Sequence, residues 1–217
     1  MTGIIGDNVG RTSGLIKAAS GGTGGVWTLI KTLTSDGSDS DLSFVNGASD
    51  VVLDSTYPIY LFKFINIHPE DATYFSVNFS DDTTSHSYDL VKTSTAFAVW
   101  HDEADTANLS TLPLYRATYD IAQGTGIAPM GGDTMANAAD NGGAGFMYLF
   151  SPSSTTFMKH WIARFKPNYS GGSDPYTTDS FHAGYINDTS AVTAVQFKMN
   201  SGEIQGGKIK MYGMGDS

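Results

Sequence analysis

The 217-residue sequence predicts an all-β protein, and three observations carry that prediction. Of the 22 acidic residues, 19 are aspartate, which favours turns, whereas glutamate is a helix former. Serine and threonine together number 46 and glycine 25, and these residues are typical of turns and half-exposed strands. Apolar residues recur with a period near two, and no stretch of about 12 residues holds a helical period.

Residues 1–25 predict an extended N-terminal arm that precedes a sandwich domain, residues 26–217. Eight glycines occur in this segment, and ordering a glycine costs more backbone entropy than ordering any other residue. The segment also carries more apolar residues than a plain disordered tail would. We therefore expect the arm to dock onto a partner through Ile4, Ile5, Val9, Arg11, Leu15, Ile16 and Lys17. The alternative is a first or edge strand of the same sandwich.

Ten strand-like runs, rich in Val, Ile, Thr, Phe and Tyr, are separated by turn residues. They span residues 26–33, 57–67, 73–79, 95–101, 112–119, 146–150, 155–165, 179–186, 192–199 and 207–214. About ten strands with no alternating helices predict a single β-sandwich. A jelly roll fits this strand number best, and a Greek-key sandwich of another topology is the alternative.

The last two runs flank a turn at residues 200–202 and predict a closing β-hairpin. Alternation in its first strand places Phe197 and Met199 on one side and Gln196 and Lys198 on the other. The segment contains no residue that looks catalytic, which indicates a framework role.

One connection, residues 120–145, is long and rich in glycine and alanine. Loops of this length in a compact domain are usually functional or mobile. The Gly-Thr-Gly within it is a weak nucleotide-binding signal, because it does not run from a strand into a helix. We therefore take this loop as a candidate ligand or partner segment, represented by Gly124, Thr125, Gly126, Met130 and Met135.

Composition argues against several functional classes. There is no cysteine, so disulfides, zinc–thiolate sites and cysteine nucleophiles are excluded. A formal charge of -10 argues against binding of duplex nucleic acid, which needs clustered Lys and Arg. The sequence shows no secretory leader and no apolar run of about 20 residues, so we expect a soluble protein with no membrane insertion.

Two clusters, residues 68–71 and 101–103, mix histidine with carboxylates as metal sites do. Neither has a metal-ligand spacing, and both follow an apolar run, where surface turns are expected. Residues 35–41, SDGSDSD, have the composition but not the order of an EF-hand loop, so an Asp-rich turn is favoured and calcium binding is the alternative. No nucleophile motif occurs. We expect no catalytic residues, no bound transition metal and no cofactor.

The C-terminal segment, residues 195–214, reads VQFKMNSGEIQGGKIKMYGM. It is similar to the ending of a group of virion proteins of marine tailed bacteriophages, those of cyanobacteria and of abundant ocean heterotrophs. That ending often runs I-Q-F-K-M-x-S-G-x-I-x-x-G-x-I-x-x-Y-G. The matching residues are Gln196, Phe197, Lys198, Met199, Ser201, Gly202, Ile204, Gly207, Ile209, Tyr212 and Gly213. Residues 149–161, 181–192 and the N-terminal GIIGDNVGRTSGLIKA also resemble phage proteins, so the resemblance covers more than a third of the chain.

The resemblance implies a structural protein on the virion surface, as a head decoration or fibre or as a tail component, assembled in the host cytoplasm. Its arm would dock on other virion proteins, of the capsid or the tail, and the sandwich would face outward as a homotrimer. A second hypothesis is a carbohydrate-binding module that recognises a host surface glycan. Its candidate aromatics are Tyr57, Tyr60, Tyr74, Trp100, Tyr115, Tyr119, Tyr148 and Trp161. A polysaccharide depolymerase is disfavoured because the sequence has no internal repeat.

Overall fold

A computed structural model of the protein describes residues 25–105, 115–169 and 175–215. These residues form eleven β-strands and one short 3-10 helix, Ala117–Tyr119. The strands are β1 Trp27–Thr34, β2 Leu42–Val45, β3 Ile59–Pro69, β4 Phe75–Ser80, β5 Lys92–Asp102, β6 Ala128–Pro129, β7 Gly143–Phe150, β8 Lys159–Tyr169, β9 Tyr176–Ile186, β10 Ala194–Met199 and β11 Ile204–Met214.

The strands form two antiparallel sheets that pack face to face, which confirms the predicted all-β sandwich. The larger sheet has seven strands in the order β1-β11-β3-β7-β8-β9-β5. The smaller sheet has four strands in the order β2-β10-β4-β6. A jelly roll is built from eight strands in two Greek keys, so for a sandwich of seven and four strands the jelly-roll assignment stays a prediction.

The core between the sheets is rich in phenylalanine. The ring of Phe197, on β10, lies at centroid distances of 6.2, 5.2, 5.2 and 6.0 Å from the rings of Phe44, Phe62, Phe64 and Phe75 respectively. All five side chains are buried, and they come from both sheets. Aromatic pairs of this kind contribute beyond the area that they bury, so this cluster ties one sheet to the other.

The C-terminal segment confirms one prediction and corrects another. Phe197 and Met199 are fully buried, whereas Gln196 and Lys198 are partly exposed, as the alternation indicates. The predicted hairpin is wrong, because β10 pairs with β2 and β4 while β11 pairs with β1 and β3. The turn at residues 200–202 carries the chain from one sheet to the other. β10 and β11 therefore contact the same core from opposite sheets. In a hairpin, both strands would lie in one sheet and contact the core from the same side.

The run at residues 112–119 is not a strand in its described part. Tyr115 makes an isolated bridge to Phe97, and the 3-10 helix Ala117–Tyr119 follows. Tyr119, the last residue of that helix, is buried, and its ring packs edge-on against the ring of Tyr74 with the ring centroids 5.0 Å apart. The alternating aromatic residues of this run therefore reflect loop packing.

Two short strands were not predicted: β2 lies in a segment to which the sequence assigns no element, and β6 lies in the predicted loop of residues 120–145. β2 is an edge strand of four residues directly after the Asp-rich turn of residues 35–41. β6 has two residues and pairs with Ser76 and Val77 of β4. The remaining predicted strands are present, with ends that shift by up to several residues.

Candidate functional site

The seven-stranded sheet has one side on the core and an opposite side, which we call the outer face, toward solvent. Alternation along β8 distinguishes them, since Trp161 and Phe165 are buried whereas Ile162 and Arg164 are exposed. The antiparallel register aligns the outward residues of neighbouring strands in four rows across the sheet. The central row is Leu29, Tyr212, Leu61, Tyr148, Ile162, Ala183 and Thr95.

Aromatic and aliphatic side chains dominate the outer face. An antiparallel sheet with one solvated side normally alternates apolar residues inward with polar residues outward. Here Phe97 and Ile162 are each 50% exposed. The aromatic residues of the four rows are Trp27, Phe97, Phe146, Tyr148, Phe150, Phe181, Tyr185 and Tyr212. A contiguous patch of this kind marks an interaction surface.

The outer face is also cationic, although the chain has a formal charge of -10. Its four rows hold five of the chain's 12 Lys and Arg residues, and within the described residues Asp179 is the only acid in these rows. The five cations are Lys63, Arg164, Lys166, Lys208 and Lys210. Five positive charges against one negative charge leave this face at +4 at neutral pH.

Cations and rings interleave on the outer face. Phe97 stacks on Phe181 with ring centroids 4.8 Å apart and an interplanar angle of 7°. The guanidinium of Arg164 lies 4.8 Å from the ring centroid of Phe181 and donates its Nε–H to Asp179 Oδ1 at 2.9 Å. Farther along the same face, beyond β7, the ammonium of Lys63 lies 5.4 Å from the ring centroid of Tyr212. Rings and cations therefore form one mixed surface.

A polar depression lies at one end of this sheet, with a cavity volume of about 750 Å³. Asn168 Oδ1 accepts a hydrogen bond from Gly142 N at 2.9 Å, and His68 Nδ1 lies 2.8 Å from the carbonyl oxygen of Asn141. Lys166 lines this depression. Lys166 also lines a second cavity, of about 320 Å³, together with the outer-face residues Phe146 and Arg164. The depression is therefore continuous with the outer face through Lys166.

Glycines on β7 keep the sheet compact beside the depression. A Cβ atom on Gly143 would lie 2.1 Å from the ring of Phe165, and one on Gly145 would lie 2.2 Å from the carbonyl oxygen of Arg164. Real Cβ atoms do not approach other atoms so closely. Glycine at these positions therefore lets β7 and β8 come together next to Lys166.

The candidate ligand loop is partly a structural element. Gly124 forms an isolated bridge with Lys92, and the carbonyl oxygen of Thr125 accepts a hydrogen bond from Lys92 Nζ at 3.3 Å. Met130 and Met135 are buried in the core, because this part of the loop pairs with the backbone around β4. Thr125 and Gly126 are exposed. Of the five candidate residues, these two are the most accessible to a partner.

The seven candidate docking residues, Ile4, Ile5, Val9, Arg11, Leu15, Ile16 and Lys17, lie outside the described residues. The docking role of the arm stays a prediction.

The Asp-rich turn is held by its own carboxylates. Asp36 N donates to Asp39 Oδ2 at 2.9 Å, and Ser38 N and Oγ donate to Asp36 Oδ1 at 3.0 and 2.8 Å. The hydrogen bonds from Ser38 hold the pKa of Asp36 below its ordinary value. Across the described ranges, no group of three or more His, Cys, Asp or Glu side chains is arranged to hold a metal ion.

Comparison with known proteins gives no match to a family model, to a curated protein or to a solved structure. In the part of the chain that the structure describes, no helix is long and apolar enough to cross a membrane. The candidate site therefore rests on the geometry of the outer face.

Sequence reasoning did not find the outer face as a site. Of the aromatic residues weighed for sugar stacking, Tyr148 lies on this face, whereas Tyr60 and Trp161 are buried in the core. The segment FMYLF shows why, since Phe146 and Tyr148 alternate with the buried Met147 and Leu149. Both sides of such a strand are apolar, so alternation alone does not identify the exposed one.

Proposed function

We propose that the protein is a non-enzymatic structural protein on the surface of a tailed phage particle, as a head decoration or fibre or as a tail component. The observation that supports this proposal is the resemblance of the C-terminal segment to marine phage virion proteins. In the structure that segment provides β10 and β11, each of which lies between two neighbours of its own sheet. The resemblance therefore falls on the framework of the sandwich rather than on a variable loop.

The arrangement of the histidines supports a role without catalysis. His86 Nδ1 lies 2.7 Å from the carbonyl oxygen of Asp82, and His101 Nε2 lies 3.4 Å from the carboxylate of Asp105 in an exposed turn. His182 is buried between strands. The contacts of His86 and His101 hold turns, which fits a structural role.

The experiment that tests this function locates the protein in the particle. Antibodies against the purified protein should label particles of the phage whose genome encodes this chain, and cryo-electron microscopy should show the sandwich on the outside. A variant lacking residues 1–20 should remain folded, with a nearly unchanged melting temperature, but should no longer be incorporated. Ile5→Asp should also reduce incorporation. Purified particles without the protein would contradict the proposal, and normal incorporation of the truncated variant would contradict the docking role.

We also propose that the protein is a homotrimer, which light scattering at micromolar concentration tests. Closed cyclic symmetry is common among homo-oligomers. A monomeric mass would contradict the proposal.

A second candidate function, favoured by the outer face, is recognition of a host surface glycan. Partly exposed aromatic rings on a sheet, next to a polar depression, are the features that sugar rings and hydroxyl groups contact. This function is compatible with a place on the particle surface, because the outer face lies on the side of the sandwich away from the smaller sheet.

A further inference from the structure

We propose that the outer face binds an anionic polysaccharide, a chain of sugar rings that carry carboxylate or sulfate groups. The inference deepens the second candidate function, on which it rests, by naming the charge of the glycan. It does not depend on the location of the protein in a particle.

The first argument is the segregation of charge. The four rows of the outer face hold Lys63, Arg164, Lys166, Lys208 and Lys210 but only one acid, Asp179, in a chain where acids outnumber bases by 22 to 12. Charge of one sign concentrated on one surface attracts a partner of the opposite sign and repels partners of the same sign. The side chains of the face thus fit an anionic partner.

The same charge disfavours a second copy of the chain as the occupant. Two outer faces placed against each other around a two-fold axis would oppose five cations to five cations. Charge therefore argues against symmetric self-association here.

The second argument is the position of the aromatic rings. Phe146 and Tyr148, on β7, lie between the cations of β3 and β11 and those of β8. A sugar ring has an apolar face of C–H groups, which packs on aromatic rings, while its acidic substituents project at the edge. A linear polysaccharide lying across β7 would place its ring faces on these side chains and its anionic groups toward Lys63 and Arg164.

The third argument is the depression beside Lys166. Its volume, about 750 Å³, is in the range of ordinary ligand sites. Asn66, His68 and Asn168 line it with amide and imidazole groups, which can both donate and accept hydrogen bonds. Hydroxyl groups of a sugar need partners of this mixed kind. Lys166 stands where the depression meets the outer face, so a bound chain would continue from one onto the other.

Single-stranded nucleic acid is the competing anionic partner, since it also binds aromatic rings and cations on a sheet. Lys63 and Lys210 are adjacent, but Arg164 lies two strands beyond Lys63, at about 10 Å from the strand spacing. The amide and imidazole groups that line the depression beside Lys166 suit the hydroxyl groups of a sugar chain, which favours the polysaccharide.

The test compares three probes on the purified full-length protein: alginate, which is a linear polyuronate, neutral dextran, and poly(dT). Calorimetric titration should show binding of alginate and no binding of dextran. Alginate binding should weaken strongly between about 50 and 300 mM NaCl, because exposed charges are screened. The double variant Lys63→Gln/Lys210→Gln should lose about ten-fold in affinity, as expected when two charged contacts are removed.

Two matched controls accompany these variants. Lys198→Gln removes a cation from the smaller sheet and should leave alginate binding unchanged. Phe146→Ala should weaken alginate binding, whereas Phe157→Ala, at a 73% exposed position outside the outer face, should not. Circular dichroism and melting curves confirm that each variant is folded.

Each other result overturns a defined part of the proposal. Equal binding of dextran and alginate would contradict the anionic specificity but keep the glycan-recognition function. Binding of neither polysaccharide would contradict both. Tighter binding of poly(dT) than of alginate would assign the face to nucleic acid. An equal loss of affinity in Lys198→Gln and in the double variant would show that the overall charge, and not the outer face, governs binding.

Discussion

Lys92 and Lys159 lie on opposite sides of Ile186 in the seven-stranded sheet, and the side chains of both lysines are fully buried. Lys92 Nζ donates to the carbonyl oxygens of Leu90 and Thr125 at 2.9 and 3.3 Å, and Lys159 Nζ donates to the carbonyl oxygen of Asp188 at 3.0 Å. Burial lowers the pKa of both amines, that of Lys92 to about 8. The two lysines therefore hold loops at one end of the sandwich at an electrostatic cost.

Lys92 should make the stability of the protein rise with pH above neutrality. Its pKa falls from an ordinary 10.5 to about 8 on folding, so between these values the unfolded chain binds more protons than the folded one. The free energy of unfolding should increase by on the order of 1 kcal/mol between about pH 7.5 and 9.5. Urea denaturation should show this increase in the natural protein and a smaller one in Lys92→Met. The partly exposed Lys198→Met is the control, and an unchanged pH dependence in Lys92→Met would contradict the assignment.

His182 should make the protein sensitive to acid. Burial lowers the pKa of its imidazole to about 4, and within the described residues its Nε2 atom has no hydrogen-bond partner. Below its ordinary pKa of 6.5 the unfolded chain gains a proton that the folded chain does not, so stability falls as the pH decreases from 6.5 toward 4. His182→Leu should abolish about 2 kcal/mol of the destabilisation between about pH 7 and 5, measured by urea denaturation. An equal loss of unfolding free energy on acidification in the natural protein and in His182→Leu would contradict the role of His182.

Gly145 should not tolerate a side chain. A Cβ atom there would lie 2.2 Å from the carbonyl oxygen of Arg164, and backbone cannot move aside as a flexible side chain can. Gly145→Ala should lower the free energy of unfolding by about 1–3 kcal/mol, the usual cost of overpacking. Gly126→Ala is the matched control, because no atom outside its two chain neighbours lies within 4 Å of its Cβ position. Equal melting temperatures for the two variants would show that β7 and β8 can separate without cost.

Phe197 should be among the most sensitive core positions. Its ring is fully buried and contacts four other phenylalanine rings. Phe197→Ala should therefore destabilise the protein by about 3–5 kcal/mol through lost burial and a residual cavity. Phe157→Ala removes the same ring from a 73% exposed position and should be nearly neutral in denaturant unfolding. A small effect of Phe197→Ala would mean that the core collapses around the missing ring.

The sequence was sufficient for the fold class because period-two runs and aspartate-rich turns are local signals. It did not separate the strands into sheets, since β10 and β11 are consecutive and carry ordinary turn residues between them. Phe197 and Ile209 belong to one buried core but to different sheets, and this arrangement depends on tertiary packing that the sequence does not display. The four-residue β2 was missed because a strand this short has too few residues to show a period.

The outer face depends on register, which one sequence does not specify. Lys63 and Lys210 are 147 positions apart and become neighbours only through the pairing of β3 with β11. In the loop of residues 120–145 the sequence made buried residues look accessible. Glycine and alanine favoured a mobile segment, but Met130 and Met135 are buried and anchor part of it to the core. The two methionines, as large apolar residues in a loop of small and polar ones, were the signal in the sequence that part of the loop is buried.

The position of β11 determines when this protein can fold during its synthesis. β11, residues 204–214, lies between β1 and β3. Each of its residues is more than 130 positions away in the sequence from the residue that it pairs with in those two strands. A ribosome that has passed β1 and β3 must still translate to residue 214 before either strand can pair with β11. Pairing over such sequence separations is slow, and it leaves strand edges exposed meanwhile. We expect β1 and β3 to remain unpaired with β11 until residue 214 has been translated, and the nascent chain to depend until then on chaperones that cover these edges.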